Sequence, residues 1–322
     1  MEIGTKRVGV IGVGHLGQHH ARVYTQLLDA RLVGVADIDE NRAHSISENL
    51  GVPYYTSMEE LVERQRPEAL SIVVPTSQHF PIAKWALSRG IHVLIEKPVT
   101  TRPSEAEELL NIADRKNLVL QVGHVERFNS AIRHISQAIH DPLFLESKRV
   151  GPFSPRINDV GVVLDLMIHD IDIVLSLVPS PISRIAAMGR RVLTEHEDIA
   201  SAQIAFENGA MAHILVSRVA EKRMRQLDIM ERERHITVNY ETQDVLIHRC
   251  IQDGKGNTEI LERPVFPKSE PLKLELAHFI GCVREKRQPL VGIRDGKRAL
   301  EVAIEVLRQI HEEARAEQSS CA

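Results

Sequence analysis

A chain of 322 residues with 43% hydrophobic and 26% charged content has the make-up of a soluble globular protein, long enough for one large domain or two ordinary ones. Its formal net charge of −4 leaves no basic excess to neutralise phosphates, which argues against a general nucleic-acid binder. Cys250, Cys282 and Cys321 lie far apart without CxxC spacing, so neither a disulfide framework nor a metal site is expected, and a reducing cytoplasm fits.

The chain opens on Met1-Glu-Ile-Gly-Thr5 with no basic-then-apolar leader, and no apolar run approaches the roughly 20 residues that span a bilayer. A cytoplasmic protein with no membrane partner is the expectation. Lys6 to Gly12 reads as a buried strand that runs into Gly12-Val-Gly-His-Leu-Gly17. Leu16 to Leu28 has helical character, and a second strand, Arg31 to Ala36, ends in Asp37, twenty residues past Gly17. GxGxxG alone is a weak signal, but strand, glycine turn, helix, strand and acid in this order are those of a dinucleotide site. Gly12 then makes the tight turn, Gly14 admits the pyrophosphate to the backbone, and Gly17 lets helix pack close on strand. The helix start offers N–H groups to the anion, with the backbones of His15 and Leu16 beside it. Asp37 accepts hydrogen bonds from the adenosine ribose and repels a 2′-phosphate. Ile38 offers no cation in compensation, so NAD is expected over NADP, although Arg42 one turn later keeps NADP open.

Alternation continues. Glu40 to Leu50 is expected as a helix closed by Gly51, Pro53 to Thr56 as a strand, and Ser57 to Arg64 as a helix capped by Ser57. Ala69 to Val74 reads as a strand, Pro75-Thr-Ser-Gln-His79 as a loop, and Phe80 to Arg89 as a helix. Ile91 to Ile95, Ser104 to Lys116 and Leu118 to Gly123 complete the series as strand, helix and strand. Six strands alternating with helices mean an α/β, Rossmann-type doubly wound parallel sheet over residues 1–123. Ligands of such sheets bind outside the carboxyl ends of the strands. That singles out Thr76 and His79 for contact with the cofactor's ribose and nicotinamide, simple capping of the next helix being the plain alternative. It also singles out Glu96-Lys97-Pro98, where the proline keeps Lys97 extended and able to reach a ligand. A surface ion pair is the alternative for Lys97, and Glu96 either meets the nicotinamide side or only holds the turn. His19 and His20 read as solvated or packing histidines.

Residues 124–322 change pattern and form a second, α+β domain. His124-Val-Glu-Arg-Phe-Asn129 opens a helix expected to run to about Ile139, and Glu126, Arg127 and Asn129 are candidates for substrate contact or for a hinge. Leu143 to Val150 is a strand, followed by a proline-rich loop carrying Arg156. Val160 to Leu177 is a strongly apolar helix in which Asp165 and His169, at i and i+4, share one face. A carboxylate beside a histidine suits a general base near pH 7; a buried structural pair is the alternative. From Ile182 to about Ile260 apolar and polar residues alternate as in a mostly antiparallel open sheet, a broad face of the kind that joins subunits of a dimer or tetramer. Helices over Glu270 to Arg284 and Arg294 to Ala316 close the chain, with a frayed tail.

Together Gly12-Val-Gly-His-Leu-Gly17, Glu96-Lys-Pro98, Gly123-His-Val-Glu-Arg-Phe-Asn129, Asp165-Leu-Met-Ile-His169, Leu274-Glu-Leu-Ala-His-Phe-Ile280 and Asp295-Gly296 resemble the glucose–fructose oxidoreductase/inositol dehydrogenase (Gfo/Idh/MocA) family over nearly the whole chain. The resemblance implies an oxidoreductase that acts on a sugar or cyclitol hydroxyl with NAD or NADP. Lys97 would hydrogen-bond the reacting oxygen, and His169 would exchange its proton with Asp165 orienting the pair. Asp159-Val-Gly-Val162 departs from the glycine-richer loop of many relatives, which leaves its substrate contacts open. The motifs around Gly123 and Asp165 look most like those of the sugar-nucleotide members. They imply oxidation of the C3 hydroxyl of UDP-N-acetylglucosamine by NAD, preparing a 3-keto sugar for transamination in lipid A precursor synthesis. Arg149 and Arg156 would then meet the diphosphate, plain surface arginines being the alternative. A dehydrogenase of a free sugar or inositol, or a non-catalytic dinucleotide-binding regulator, are the other readings.

Overall fold

The computed structural model describes residues 4–154, 160–253 and 256–320. They fall into two units, one made of the chain up to Phe128 together with Glu270–Leu300, the other of Asn129–Ser269 together with the chain from Glu301 onward.

In the first unit, strands β1 (Lys6–Ile11), β2 (Ala30–Ala36), β3 (Tyr54–Tyr55), β4 (Ala69–Ile72), β5 (His92–Glu96) and β6 (Leu120–Gly123) alternate with helices α1 (Gly17–Thr25), α2 (Glu40–Leu50), α3 (Met58–Gln65), α4 (Thr76–Ser88) and α5 (Pro103–Lys116). All pairings are parallel, in the order β3-β2-β1-β4-β5-β6. The order reverses between β1 and β4, which makes the carboxyl ends of those two strands the switch point where ligands of doubly wound sheets bind. β4 is buried along its whole length, as a strand covered by helices on both faces must be.

Local chemistry sets the helix ends. The Asp39 side chain accepts from Arg42 N–H to start α2, and Gly51 ends it at φ 65°. The Ser57 side chain accepts from Glu60 N–H at the start of α3, as its spacing predicts. The helix expected from Phe80 begins instead at Thr76, so Thr76 and His79 stand in its first turns and not in a loop. Pro81 sits inside the helix at the cost of one main-chain bond.

The second unit holds α6 (Ser130–Ile135), β7 (Phe144–Val150), one π-helical turn over Val163–Met167 and α7 (Ile168–Leu177). Strands β8 (Ile182–Arg190), β9 (Ile199–Phe206), β10 (Met211–Ser217), β11 (Met224–Met230), β12 (Arg234–Asn239), β13 (Asp244–Asp253) and β14 (Gly256–Glu262) follow. With β7 they make an eight-stranded sheet in the order β14-β13-β12-β11-β7-β10-β9-β8, antiparallel except where β7 and β10 run parallel. Period-two burial gives it one apolar face: Ala212, Ile214 and Val216 of β10 are buried, while Met211, His213 and Leu215 line the opposite face.

Two expectations change. The helix from His124 is broken into a 3₁₀ turn over Val125–Phe128 and α6, because Asn129 takes an extended backbone and caps α6 through its side chain. Of the closing helices α8 (Pro271–Glu285) and α9 (Ile293–Ser320), α8 belongs with the first unit: Leu276, Phe279 and Ile280 share a core with Val8, Val10, Tyr24 and Leu94. A cut of the chain at residue 123 alone would assign α8 to the second unit.

Candidate active site

The glycine turn after β1 shows why each glycine stands where it does. Gly12 has φ +82°, and a Cβ there would sit 2.4 Å from the Val73 carbonyl oxygen. A Cβ on Gly17 would lie 1.9 Å from the Gly12 carbonyl oxygen, so helix and turn approach closer than any side chain allows. Beside Gly14 there is open space, and His15 and Leu16 are exposed. No side chain caps the start of α1, and the partial positive charge of a helix N-terminus lies at that turn. At the carboxyl ends of β1 and β4 a cavity of ≈ 630 Å³ is lined by Gly12, Gly14, Asp37, Arg42, Thr56 and Gln78, among others. Its volume and donor set suit the adenosine end of a dinucleotide.

Asp37, 8% exposed, is fixed in that cavity by two main-chain donors, Val13 N–H at 2.8 Å on Oδ2 and Asp39 N–H at 3.0 Å on Oδ1. Arg42 Nη1 stands 3.4 Å from both carboxylate oxygens. The acid is thus both preorganised and partly neutralised.

The Glu96-Lys97-Pro98 turn is held from two sides. Glu96 is 6% exposed; its Oε1 lies 3.2 Å from His20 Nε2, and its Oε2 accepts from Lys97 N–H at 3.2 Å. Gly123 on β6 makes room for this carboxylate, since a Cβ there would come within 2.5 Å of Oε1. His20 Nδ1 lies 3.4 Å from Ser71 Oγ, which in turn meets Tyr24 Oη at 2.8 Å. On the other side His79, 1% exposed, puts Nδ1 2.8 Å from the Pro98 carbonyl oxygen and Nε2 2.9 Å from that of Val74. Both ring nitrogens are therefore committed to main chain, and burial pushes the imidazole below its ordinary range against the pull of those two carbonyls. His79 ties the end of β4 to the Lys97 turn. Lys97 itself is half-buried. Among its neighbours His124 is pushed down to about 4, by burial first and then by Arg127, so it is neutral near pH 7.

Glu126 and Arg127 are half-buried on the 3₁₀ turn that follows β6. Asn129 is 1% exposed, its amide donating to the Tyr240 carbonyl oxygen at 2.9 Å and its Oδ1 accepting from Ala131 N–H at 3.1 Å. That side chain builds the start of α6.

In the second unit Asp165 lies within the π-turn and His169 in the first turn of α7, both half-buried on a largely buried helix. π-turns inside α-helices occur often at functional sites. Arg149 is not available to a diphosphate: it is 3% exposed, pairs with Asp170 at 2.7 Å and stacks over Tyr240, while Ser147 Oγ donates to the same Asp170. Removing one member of a buried pair costs about 3–5 kcal/mol, so this arginine is structural. Arg156 lies outside the described residues. Sequence spacing did not reveal the contact of His20 with Glu96 or the pairing of Arg149 with Asp170.

Residues 6–124 match the family model described as an oxidoreductase family with an NAD-binding Rossmann fold, and residues 130–239 match the GFO/IDH/MocA C-terminal domain. A UDP-N-acetylglucosamine 3-dehydrogenase of Acidithiobacillus ferrooxidans is 35% identical over 93% of this chain and 96% of its own length. The chain belongs to the Gfo/Idh/MocA oxidoreductase family. A solved structure of the Acidithiobacillus ferrooxidans enzyme superposes with a TM-score of 0.89, covering 95% of this chain and 98% of that one at 34% identity. A scyllo-inositol 2-dehydrogenase (NAD(+)) of Bacillus subtilis is 27% identical over 92% of each chain. As a member of the family the protein is a dehydrogenase, and its cofactor is a nicotinamide dinucleotide. No helix among the described residues is long and apolar enough to cross a membrane.

Proposed function

We propose that the protein oxidises the C3 hydroxyl of UDP-N-acetylglucosamine to the 3-keto sugar with NAD. The observation that carries this reading is the whole-length likeness to a UDP-N-acetylglucosamine 3-dehydrogenase, at a higher identity than to the inositol dehydrogenase. Lys97 donates a hydrogen bond to the reacting oxygen and stabilises the negative charge that develops as its proton leaves. His169 takes that proton, and Asp165, one turn earlier on the same helix face, orients the ring and favours its protonated form. A bound nicotinamide ring supplies the hydride acceptor. Glu126, Arg127 and Arg156 are assigned to the nucleotide sugar.

Assay of NAD reduction with UDP-N-acetylglucosamine, glucose derivatives and inositol, each with a keto trap or a partner aminotransferase, tests the substrate. Turnover of inositol but not of the nucleotide sugar favours the second reading, a cyclitol dehydrogenase. Absence of turnover with any polyol alongside tight NAD binding would leave the dinucleotide-binding regulator.

NAD is proposed over NADP because a 2′-phosphate would meet the fixed carboxylate of Asp37. Relieving that repulsion in Asp37→Ala is expected to lower the NAD/NADP ratio of kcat/KM by about 10-fold, the equivalent of about 1.4 kcal/mol. An unchanged ratio means that Asp37 does not meet the ribose.

The partner proposed for the open sheet face is a second copy of the chain. Met230, Phe144 and Met211 stand side by side across β11, β7 and β10 on that face, with Met211 53% exposed. Light scattering is expected to give a dimer or tetramer that Met211→Glu weakens; a wild-type monomer at assay concentration contradicts the proposal.

A further inference from the structure

The scheme above leaves Glu197 without a role, yet the structure builds much around it. Glu197 immediately precedes β9's Asp198–Ile199 junction and is 6% exposed. Its main-chain oxygen accepts from Val162 N–H at 3.0 Å, and its side-chain Oε1 accepts from Val163 N–H at 3.1 Å. Gly161 lies beneath the carboxylate: a Cβ there would sit 1.8 Å from Oε1 and 2.1 Å from the carboxyl carbon. The neighbouring Asp198 pairs with Arg218 at 2.6 Å, and Arg218 Nη1 donates to the Val160 carbonyl oxygen at 2.8 Å. Asp198 also accepts from the main-chain N–H groups of Val192, Leu193 and Thr194. Val160, Val162 and Val163 are thus held by groups flanking two neighbouring strands, β9 and β10, with Gly161 between them.

The gripped segment is the one that leads into the π-turn. Asp165 N–H bonds to the Gly161 carbonyl oxygen at 3.1 Å, so the turn that carries Asp165 is built on a residue flanked on both sides by clamped ones. A helix start needs partners for its first N–H groups, and a local Ser or Asp usually supplies them. Here the partner comes from 34 residues further along the chain. A local cap would satisfy the same N–H groups but would not fix the helix against the sheet. The extra residue of a π-turn has to fall at one place along the helix, and pinning the residues before it decides where.

We propose that Glu197 is a positioning residue for the Asp165–His169 pair, holding the π-turn in the register that presents both side chains together. The Asp198–Arg218 pair completes the clamp. The proposal rests on the reading of His169 as the base, so its test includes a signal that does not depend on activity.

Imidazole ¹⁵N–¹H correlations, with the His169 signal identified by its loss in His169→Ala, are compared among wild type, Glu197→Ala and Glu197→Gln. Glutamine keeps an acceptor oxygen where alanine keeps none. The His169 signal is expected to move in Glu197→Ala and to stay near its wild-type position in Glu197→Gln. In turnover assays Glu197→Ala is expected to lower kcat by about 10- to 100-fold, the effect of a misplaced reacting group, with NAD affinity unchanged and Glu197→Gln restored to within a few-fold. An unmoved His169 signal in Glu197→Ala, or a glutamine variant no better than the alanine one, overturns the proposal. Should Glu197→Ala fail to fold, Gly161→Ala puts the same question by displacing the carboxylate, and an unmoved His169 signal there overturns it equally. If wild type turns over no polyol while the signal behaves as expected, the assigned reaction fails and the clamp stands.

Discussion

Lys97→Met and His169→Ala are each expected to lower turnover by at least about 10²-fold while NAD still binds, a loss of about 3 kcal/mol of transition-state stabilisation. Methionine keeps the length and apolar stem of lysine but removes the donor and the charge, so the developing alkoxide loses its only proposed cation. The turn keeps its anchors through Glu96, His20, His79 and the main chain in this variant. For His169 the expected loss is that of the proton acceptor. Titration of NAD by fluorescence beside steady-state kinetics separates the two effects: binding is retained and kcat collapses. Wild-type turnover in either variant would remove that residue from the reaction.

Gly17→Ala should abolish tight NAD binding, lowering affinity by about 10²-fold or more and destabilising the fold by about 1–3 kcal/mol as an overpacked site does. The added methyl would lie 1.9 Å from the Gly12 carbonyl oxygen, a main-chain atom that cannot step aside without moving the turn. Gly14→Ala makes the informative contrast. Nothing lies within 4 Å of its Cβ, so the melting temperature should match wild type, while the methyl enters the space that a pyrophosphate would approach and weakens NAD. A Gly17→Ala protein with wild-type stability and NAD affinity would contradict the close approach of α1 to the turn.

The parallel sheet was legible in the sequence because short apolar strands and amphipathic helices alternate with clear punctuation at Gly51 and Gly90. The glycine turn and Asp37 could be read for the same reason, since their chemistry lies within one strand–helix–strand unit. What escaped was set by partners distant in the chain. His20 looked like an ordinary helical histidine until the fold brought Glu96 beside it. Arg149 looked like a free cation near the Asp165 helix, and Asp170 had already engaged it. The contacts of Asn129 with the main chain of Ala131 and Tyr240 likewise come only with the fold. The helix α8 reads locally as the end of a second domain, and only long-range packing assigns it to the first. The Glu197 clamp has no local signature at all except Gly161, whose missing side chain makes sense once the carboxylate above it is known.

Oxidation at C3 is tested most directly by following the hydrogen that leaves. UDP-N-acetylglucosamine carrying deuterium at C3 is incubated with enzyme and NAD in the presence of a keto trap, and the NADH formed is analysed by mass spectrometry. Deuterium in the NADH, with a primary isotope effect on single-turnover rates, is the predicted result. Unlabelled NADH from the C3-labelled sugar would mean that another hydroxyl reacts, and no NADH at all would contradict the nucleotide sugar as substrate.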